Sequence, residues 1–586
     1  MRETLNYILT ERTLECKLLA SLGCLLAASV YGLRWRKRRG IQKRMEQERK
    51  RREDSIRLMQ KALHQFHQQN PEVDLQKIRD LTLVELVKEL KVGSLSPESA
   101  LYAYLEKALE VHNDLNCVTI FLSDCEAQIK KLQEKEERGP LYGVPVSIKE
   151  HIGYQGHPST CGLVQFVEDL EEEDSVIVKV LKKQGAIVFA KTNVPQAVYS
   201  CATSNTIYGH TLNPHNKTKE TSGSSGGEGA LIGGGGSVLG IGTDLAGSIR
   251  VPSSFCGIAG LKPTPNRLSI RGIHPVVKGM NSVPLCSGPM ARDVDSLVLA
   301  MRTLCCDEMF RLDPYVSPIY FNEEVFSSKK LLRIGYYEED GYLQPNPSMK
   351  RILRETKKLL EHAGHTLVRF QPPPVECVME LFLKLTLCGD GGKSLADEYK
   401  KNIVHPHLKD IFKLYQMPCV LKKIMAFFLH PTAPRMSKFI YSAAGAGSVK
   451  EHWMDKKALQ EYQAKFIGEW RKLDLDVVIC PVAGPAFNTG YSGNLLGCMV
   501  YTMLYNLMDF PAGVVPVGSV TEEDEEALKH YKGYWNDHWD KLFKQAVTGG
   551  VGLPLSVQCV ALPYQDELCL RLMKEIETLH LQQQRR

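Results

Sequence analysis

Lysine and serine side chains that could cooperate in acyl transfer lie in two segments of the 586-residue chain. Lys149 ends an apolar, strand-like run at 144–149, and a segment rich in glycine and serine follows at 221–250. Glycine lets other atoms approach the backbone closely, so the N–H groups of such a segment can be aimed at a ligand. The usual targets are a phosphate group and a developing oxyanion, and the composition alone leaves both open.

Three kinds of site compete for this glycine- and serine-rich segment. A phosphate-binding loop is disfavoured because no Gly-Lys-Ser or Gly-Lys-Thr follows the glycines at 233–242. A nucleophile elbow centred on Ser225 needs a buried strand directly before it, whereas residues 213–220 are polar. A serine–serine–lysine hydrolase needs a neutral lysine as its base. Burial lowers the pKa of a lysine, and the apolar run that ends at Lys149 predicts burial, which favours this third interpretation.

Longer strings around these residues resemble the amidase signature family. They read GSSGGEGA at 223–230, GTDLAGSIR at 242–250 and GVPVSIK at 143–149, with further matching strings at 191–196, 260–264 and 288–292. The resemblance covers roughly residues 75–579. Within the family, the chain is most similar to the membrane-anchored animal hydrolases that act on fatty acid amides. Its N-terminal apolar segment, its apolar segment near 411–440 and its strings at 509–517 and 557–563 are typical of those enzymes.

The resemblance implies a Ser-Ser-Lys relay. Ser248 would be the nucleophile, Lys149 the base, and Ser224, preceded by a cis peptide bond, would pass the proton between them. Ser225 and Arg250 would hold the loop. The backbone N–H groups of Leu245, Ala246, Gly247 and Ser248 would form the oxyanion hole. The residues implied to contact the substrate are Val198, Ser224, Leu245, Ala246, Gly247 and Ser248.

Ala246 departs from the family pattern, which commonly has a second glycine at this place. An alanine keeps the N–H group, so the oxyanion hole can persist. It also tolerates a positive φ poorly and adds a methyl group beside the reacting carbonyl. This departure is the basis of an alternative function, a catalytically silent lipid-binding membrane protein of the same fold.

The activity implied by the resemblance is hydrolysis of long-chain fatty acid amides to a fatty acid and an amine. N-acylethanolamines such as anandamide and primary amides such as oleamide are the expected substrates. No metal and no organic cofactor is implied, and a homodimer is expected. The net charge of +6 is small for this length, so we expect no nucleic-acid partner.

The N-terminal residues predict contact with membrane lipid. Residues 18–33 carry no charge, and as a helix they would rise about 24 Å, slightly less than the hydrocarbon core of a bilayer. They are expected to form a short span or a deep interfacial anchor. Eleven Lys or Arg follow at 34–52, which favours a cytoplasmic catalytic body. A cleaved signal peptide is disfavoured because the residues before the apolar run are charge-balanced.

These observations predict three parts of the chain. They are a membrane anchor at 1–35, a basic and polar helical linker at 36–74 and a catalytic domain at 75–586. The short anchor suits a thin bilayer, so the endoplasmic reticulum membrane is the expected location, with the Golgi membrane as a further candidate.

The apolar segment at 411–440, here called the cap, allows two interpretations. Pro418, Pro431 and Pro434 are expected to divide it into short helices. The helices could be core helices with lysines that reach solvent. Alternatively, they could form an amphipathic hairpin in a membrane surface, with basic residues near anionic headgroups. Its basic residues are Lys413, Lys422, Lys423, Arg435 and Lys438.

The elements that must position the candidate site alternate between helices and short apolar strands. This alternation predicts an α/β fold, and the resemblance specifies the amidase signature fold. That fold has a central twisted mixed β-sheet covered by helices on both faces, here preceded by an N-terminal membrane helix. Strands are expected at 117–122, 144–149, 186–190, 331–336, 366–370, 474–480, 512–517 and 556–560. Helices are expected at 97–113, 123–135, 175–184, 348–362 and 565–579.

Overall fold

A large mixed sheet organises the chain in the computed structural model, which describes residues 2–134, 137–386 and 389–585. Eleven strands form the sheet, and a separate two-stranded hairpin lies outside it. The strands are β1 (Val118–Phe121), β2 (Pro145–Lys149), β3 (Ile187–Thr192), β4 (Ser204–Asn205), β5 (Gly209–His210), β6 (Leu239–Asp244), β7 (Ala259–Lys262), β8 (Cys286–Ala291), β9 (Arg333–Tyr336), β10 (Thr366–Arg369), β11 (Val477–Pro481), β12 (Ala512–Ser519) and β13 (Pro554–Ala561).

The strand order in the sheet is β1-β3-β2-β6-β8-β7-β12-β13-β11-β9-β10. Strand β2 pairs in parallel with β3 and with β6, and β9 pairs in parallel with β10 and β11. The remaining neighbours in the sheet are antiparallel. The predicted α/β class with a mixed sheet is therefore confirmed.

Helices flank the sheet and supply most of its cover. The α-helices are α1 (Arg2–Gln69), α2 (Leu75–Asp80), α3 (Leu83–Val92), α4 (Pro97–Leu115), α5 (Cys125–Gln133), α6 (Val176–Lys183), α7 (Gly226–Gly233), α8 (Arg250–Phe255), α9 (Val294–Leu304), α10 (Asp307–Leu312), α11 (Glu323–Ser327), α12 (Pro347–His362), α13 (Glu376–Leu385), α14 (Lys393–Lys400), α15 (Lys409–Gln416), α16 (Cys419–Leu429), α17 (Pro434–Ser442), α18 (Val449–Lys472), α19 (Val500–Leu507), α20 (Glu522–Leu528), α21 (His538–Val547) and α22 (Asp566–Gln584). Short 3-10 helices occupy Val164–Phe166, Gln196–Val198, Pro406–Leu408, Ser492–Asn494 and Leu496–Met499.

The start of α4 shows how local sequence sets an element. Ser96 precedes the helix and accepts a hydrogen bond from the backbone N–H of Ser99 at 3.0 Å, and Pro97 occupies the first helical position. Both residues are typical of a helix start, because a serine cap satisfies a free N–H and proline lacks one.

Three central strands were not predicted. Strands β6, β7 and β8 are adjacent to one another in the sheet, and every residue of theirs is buried. Glycine weakens the periodic apolar pattern that identifies a strand, and β6 alternates it with other residues as LGIGTD. These strands carry the candidate loop, since β6 leads directly into residues 245–249 and then into α8.

Helix α1 is continuous from Arg2 to Gln69, and its C-terminal half lies against the rest of the chain. Arg49, from the basic block, donates hydrogen bonds of 2.7 Å to the carbonyl oxygens of Thr206 and Ile207. The C-terminal half of α1 is thus attached to the body along one side. Its buried apolar side chains are Ile41, Met45, Met59 and Phe66.

The N-terminal apolar segment lies within α1. Among the residues that the structure describes, no helix is both long enough and apolar enough to cross a membrane. The membrane span expected at 18–33 is not confirmed. Leu22, Leu25 and Leu26 in this segment are exposed.

The cap consists of short helices, as its prolines predicted, but two of its basic residues are not near a surface. Lys422 is buried and donates to the carbonyl oxygens of Gly391 and Ala443 at 2.6 and 2.9 Å. Arg435 is buried and forms ion pairs with Asp537 and Asp540. Neither the placement near headgroups nor the placement in solvent therefore holds for these two residues, whereas the two interpretations of the cap stay open. A buried charge needs a fixed partner, which the cap finds in distant segments.

Candidate active site

Strand β2 and helix α7 bring Lys149 and Ser224 together. Strand β2 pairs on both sides, and its last residue, Lys149, is completely buried. Ser224 lies just before α7, which packs close to the strand pair. A Cβ at Gly227 would overlap the backbone nitrogen of Asn193, so glycine is needed for this approach. As a result, Lys149 Nζ lies 2.7 Å from Ser224 Oγ.

The Lys149 ammonium group has only neutral hydrogen-bond partners. Besides Ser224, they are the hydroxyl of Thr243 at 2.9 Å and the carbonyl oxygen of the same residue at 3.4 Å. Burial lowers the pKa of Lys149 from 10.5 to about 7, although the nearby charge of Asp244 opposes the shift. At neutral pH the side chain is therefore available as a base.

Ser224 and Ser225, in the turn before α7, have different surroundings. The peptide bond between Gly223 and Ser224 is cis, as the resemblance implied. Ser225 Oγ donates to the carbonyl oxygen of Thr243 at 3.2 Å and accepts from the N–H of Thr243 at 3.3 Å. Among described residues, Ser224 lines the cavity next to the turn whereas Ser225 does not. Ser225 is thus a structural residue, and the elbow interpretation finds no support in its position.

Ser248 lies at the wall of the same cavity and is only half-buried. Its carbonyl oxygen accepts a hydrogen bond of 3.1 Å from the N–H of Ser225, which holds the two serine segments side by side. Between described atoms, no hydrogen bond joins the hydroxyls of Ser224 and Ser248 in this conformation. The structure therefore forms the Lys149–Ser224 link and places Ser248 beside it with a free hydroxyl.

A buried ion pair fixes the loop that carries Ser248. Two nitrogens of the Arg250 guanidinium donate to the Asp244 carboxylate at 3.0 and 3.1 Å, and both side chains are fully buried. Asn506 and Gln558 supply further amide contacts to the pair at 2.6–3.0 Å. Although burial alone would raise the pKa of Asp244, Arg250 and Asn506 hold it well below the usual range.

The Asp244 carboxylate also organises the backbone of the loop. It accepts hydrogen bonds from the N–H groups of Gly247 and Ile249 at 2.8 and 3.1 Å. Within the described chain, the N–H groups of Leu245, Ala246 and Ser248 have no hydrogen-bond partner. Of the four N–H groups expected in the oxyanion hole, Gly247 is therefore already engaged and the other three are free to bind a ligand.

Positive φ is required at Gly247 and not at Ala246. Gly247 has a φ of +127°, and a Cβ there would overlap the side chain of Thr502. Ala246 is not among the non-glycine residues with positive φ. The backbone strain expected from an alanine at 246 is consequently absent, because the position does not need the conformation that alanine disfavours.

The cavity beside these residues has a volume of about 880 Å³. At one end it is lined by Val198, Ser224, Leu245, Ala246, Gly247 and Ser248, so all the residues expected to contact substrate lie on its wall. Lys149 is not among the described lining residues and lies behind Ser224. Elsewhere the wall is mainly apolar and includes Phe382, Leu408, Ile411, Leu414, Phe439 and Ile440.

Three polar residues of the site were missed from the sequence. Thr243 Oγ1 lies between Lys149 Nζ and the Nε2 atom of His151, each at 2.9 Å. Glu228 is fully buried and accepts hydrogen bonds from Ser147 at 2.6 Å and Thr192 at 2.8 Å. Burial raises the pKa of Glu228 to about 7. The only available signal was that Ser147 and Lys149, two residues apart on β2, share one face of the strand.

Comparisons with known proteins identify the family and the fold of the chain. The family described as Amidase matches residues 99–570. The chain is 48% identical to Fatty-acid amide hydrolase 1 of Sus scrofa, with 95% of this chain and 96% of that protein covered. It is 38% identical to Fatty acid amide hydrolase 1 of Caenorhabditis elegans, with 92% and 95% covered. A solved structure of a fatty acid amide hydrolase has the same fold, with a TM-score of 0.76 at 24% identity over 92% of this chain and 94% of that chain.

Proposed function

The chain belongs to the amidase signature family and is an amide-hydrolysing enzyme; from this premise we propose that it hydrolyses long-chain fatty acid amides through a Ser-Ser-Lys relay. The observation that carries the proposal is the 2.7 Å hydrogen bond between buried Lys149 and Ser224, directly behind the wall of an apolar cavity. A lysine in that position is a base only when it is neutral, and burial favours its neutral form.

The relay operates in two directions. Neutral Lys149 takes the proton of Ser224 as Ser224 takes the proton of Ser248, and Ser248 Oγ attacks the amide carbonyl carbon. The C–N bond then breaks while the proton returns through Ser224 to the leaving nitrogen, so the amine departs in neutral form. Water adds to the acyl-enzyme with the same groups as bases and releases the fatty acid.

The free N–H groups of the loop supply the oxyanion hole. Leu245, Ala246 and Ser248 line the cavity and have three N–H groups without a partner among the described residues, while the N–H of Gly247 is held by Asp244. Each donor to a developing oxyanion is typically worth about 3 kcal/mol. The catalytically silent alternative depended on Ala246, and the absence of positive φ at that residue removes the backbone-strain part of its support.

The substrate class follows from the apolar wall and from the relatives. A volume of about 880 Å³ is sufficient for a long acyl chain, and the walls away from the relay offer mainly apolar contacts. Two relatives are named for fatty acid amides. N-acylethanolamines such as anandamide and primary amides such as oleamide are the proposed substrates, without a metal or an organic cofactor.

We also propose that the enzyme acts at a membrane surface, on the endoplasmic reticulum or Golgi membrane, and as a homodimer. Exposed apolar side chains on α16 and on the N-terminal part of α1 support contact with lipid. Apolar residues of the cap also line the cavity, so a lipid amide could enter from the bilayer. The exposed residues of α16 are Val420, Leu421, Ile424, Phe427 and Phe428.

The proposed activity is tested by hydrolysis of a panel of amides by the wild-type enzyme and by a Ser248→Ala variant. We expect kcat/KM to rise with acyl-chain length and to be abolished in the variant. Ser225→Ala is the matched control, because its hydroxyl serves the loop and not the cavity. Equal activity on acetamide and oleamide, or retained activity in Ser248→Ala, would contradict the proposal.

A further inference from the structure

His151 ends a chain of hydrogen bonds that begins at the relay. From Ser224 Oγ the chain passes to Lys149 Nζ at 2.7 Å, then to Thr243 Oγ1 at 2.9 Å and to His151 Nε2 at 2.9 Å. The other ring nitrogen of His151, Nδ1, lies 3.2 Å from the carbonyl oxygen of His274. His151 follows β2 by two residues, and it lines the cavity together with Thr243.

The partners of His151 determine where its proton lies. A carbonyl oxygen can only accept, so Nδ1 must carry the hydrogen that binds His274. Burial and the nearby charge of Lys149 hold the pKa of His151 well below its usual value, so the ring has a single N–H. Assigned in this way, Nε2 can only accept a hydrogen bond, and its donor must be the Thr243 hydroxyl.

The direction of the Thr243 hydroxyl then decides how Lys149 is used. A hydroxyl group has one hydrogen. Because the Thr243 hydroxyl donates that hydrogen to His151, it can only accept a hydrogen bond from Lys149. A neutral lysine has two N–H hydrogens and one lone pair. The two hydrogens are donated to Thr243 Oγ1, which lies 2.9 Å from Lys149 Nζ, and to the Thr243 carbonyl oxygen, which lies 3.4 Å from it. The lone pair is left for Ser224 Oγ, which is the geometry that a base requires.

We infer that His151 is a positioning residue that keeps the Thr243 hydroxyl turned away from the lone pair of Lys149, so that this lone pair faces Ser224. The inference rests on the proposed role of Lys149 as the base of the relay. Without an acceptor at position 151, the Thr243 hydroxyl can donate to Lys149 and compete with Ser224 for the same lone pair. His151 itself exchanges no proton with the substrate.

The expected pH effect has a definite sign. An acceptor oxygen stabilises the charged form of Lys149 more than the neutral form, so turning the Thr243 hydroxyl around lowers the pKa of Lys149 further. In the wild type, kcat/KM is expected to rise with pH through about 7 as Lys149 loses its proton. The other titratable groups that act on Lys149 or His151 are Asp244, Glu228, Cys161, Lys191 and His274.

The test is the pH profile of kcat/KM for His151→Phe, which keeps a ring and removes the acceptor. We expect the plateau above pH 8 to fall about tenfold, the order of one hydrogen bond to a reacting group. The acid limb of the profile, which is the rise of kcat/KM with pH below the plateau, should move to lower pH. A merely structural defect would lower the plateau and leave the midpoint of the limb unchanged, and this result would overturn the inference.

Two further variants make the test specific. His151→Gln restores a side-chain acceptor near the position of Nε2 and should recover most of the plateau and the wild-type limb. His580→Phe is the matched control, because His580 Nε2 also contacts a buried threonine hydroxyl, that of Thr356 at 3.0 Å, outside the cavity. It should leave the limb unchanged.

A double-mutant comparison separates this inference from the proposed function. If His151 acts through Thr243, His151→Phe should have no additional effect on the limb in a Thr243→Val background, whereas independent effects would add. Lys149→Ala is measured in parallel. If that variant loses activity as expected while His151→Phe behaves like the wild type, the inference fails and the relay stands. If Lys149→Ala is fully active, the relay itself fails.

Discussion

The relay and the cap use lysine and arginine in opposite ways. At the relay, Lys149 is buried with only neutral partners, and its pKa falls to about 7. In the cap, Arg435 is also buried, but the carboxylates of Asp537 and Asp540 surround it and its pKa is raised. Burial alone therefore does not make a base. At Arg435 the paired carboxylates stabilise the charged form, whereas the neutral hydrogen-bond partners of Lys149 do not offset the effect of its burial.

The two regions also differ in the groups that they expose. The loop around Ser248 is fastened by the Asp244–Arg250 pair and presents N–H groups to a cavity. On the outer side of α16, phenylalanine and leucine side chains remain exposed in the described part of the chain. The first region holds a fixed backbone geometry, whereas the second leaves an apolar surface exposed, which is the basis of the proposed contact with lipid.

The largest expected effect comes from breaking the buried pair behind the loop. Arg250→Ala leaves the Asp244 carboxylate buried without its partner, which should lower the free energy of unfolding by about 3–5 kcal/mol. Urea denaturation measures this loss. Arg57→Ala is the control, because its ion pairs with Glu53 and Asp54 are largely exposed and should contribute about 0–1 kcal/mol. Similar small losses in both variants would show that the loop does not depend on the pair.

A smaller and different effect is expected at the cap. Phe427 and Phe428 are 74% and 73% exposed, and each should add about 1.5–3 kcal/mol when buried in lipid. Replacing both by serine should weaken binding to anionic vesicles at least tenfold. Turnover of a short soluble amide should not change. Tyr315→Ser, at an equally exposed aromatic residue outside the cap, should bind vesicles like the wild type. Unchanged vesicle binding by the Phe variant would argue against the cap as a lipid-binding surface.

The sequence predicted the elements whose patterns are local. Strand β2, the proline-divided cap and the Ser96–Pro97 helix start each depend on a few neighbouring residues, and each was found. Strands β6 to β8 were missed because glycine removes the apolar alternation and because their burial comes from neighbours far along the chain. No local signal predicts such pairing.

The candidate site was predicted through its long matching strings more than through residue chemistry. Those strings pointed to Lys149, Ser224 and Ser248. The two serines line one cavity and Lys149 Nζ is hydrogen-bonded to Ser224 Oγ, although about a hundred residues separate Lys149 from Ser248. Their catalytic roles stay predictions. His151 and Thr243 escaped notice because their role depends on hydrogen-bond direction, which only the folded arrangement defines. The burial of Lys422 and Arg435 escaped notice for a similar reason, since their partners are distant in sequence.

The pH dependence of kcat/KM in the wild type and in Lys149→Ala tests the central claim most directly. The pKa of Lys149 is lowered to about 7, so its basic form dominates above that pH and is lost below it. Wild-type activity should rise through about pH 7 to a plateau. Near neutral pH the variant should be about 10²–10⁴-fold slower, and it should recover partly at alkaline pH as hydroxide replaces the lost base. A defect of the same size at every pH would contradict the role of Lys149 as the base.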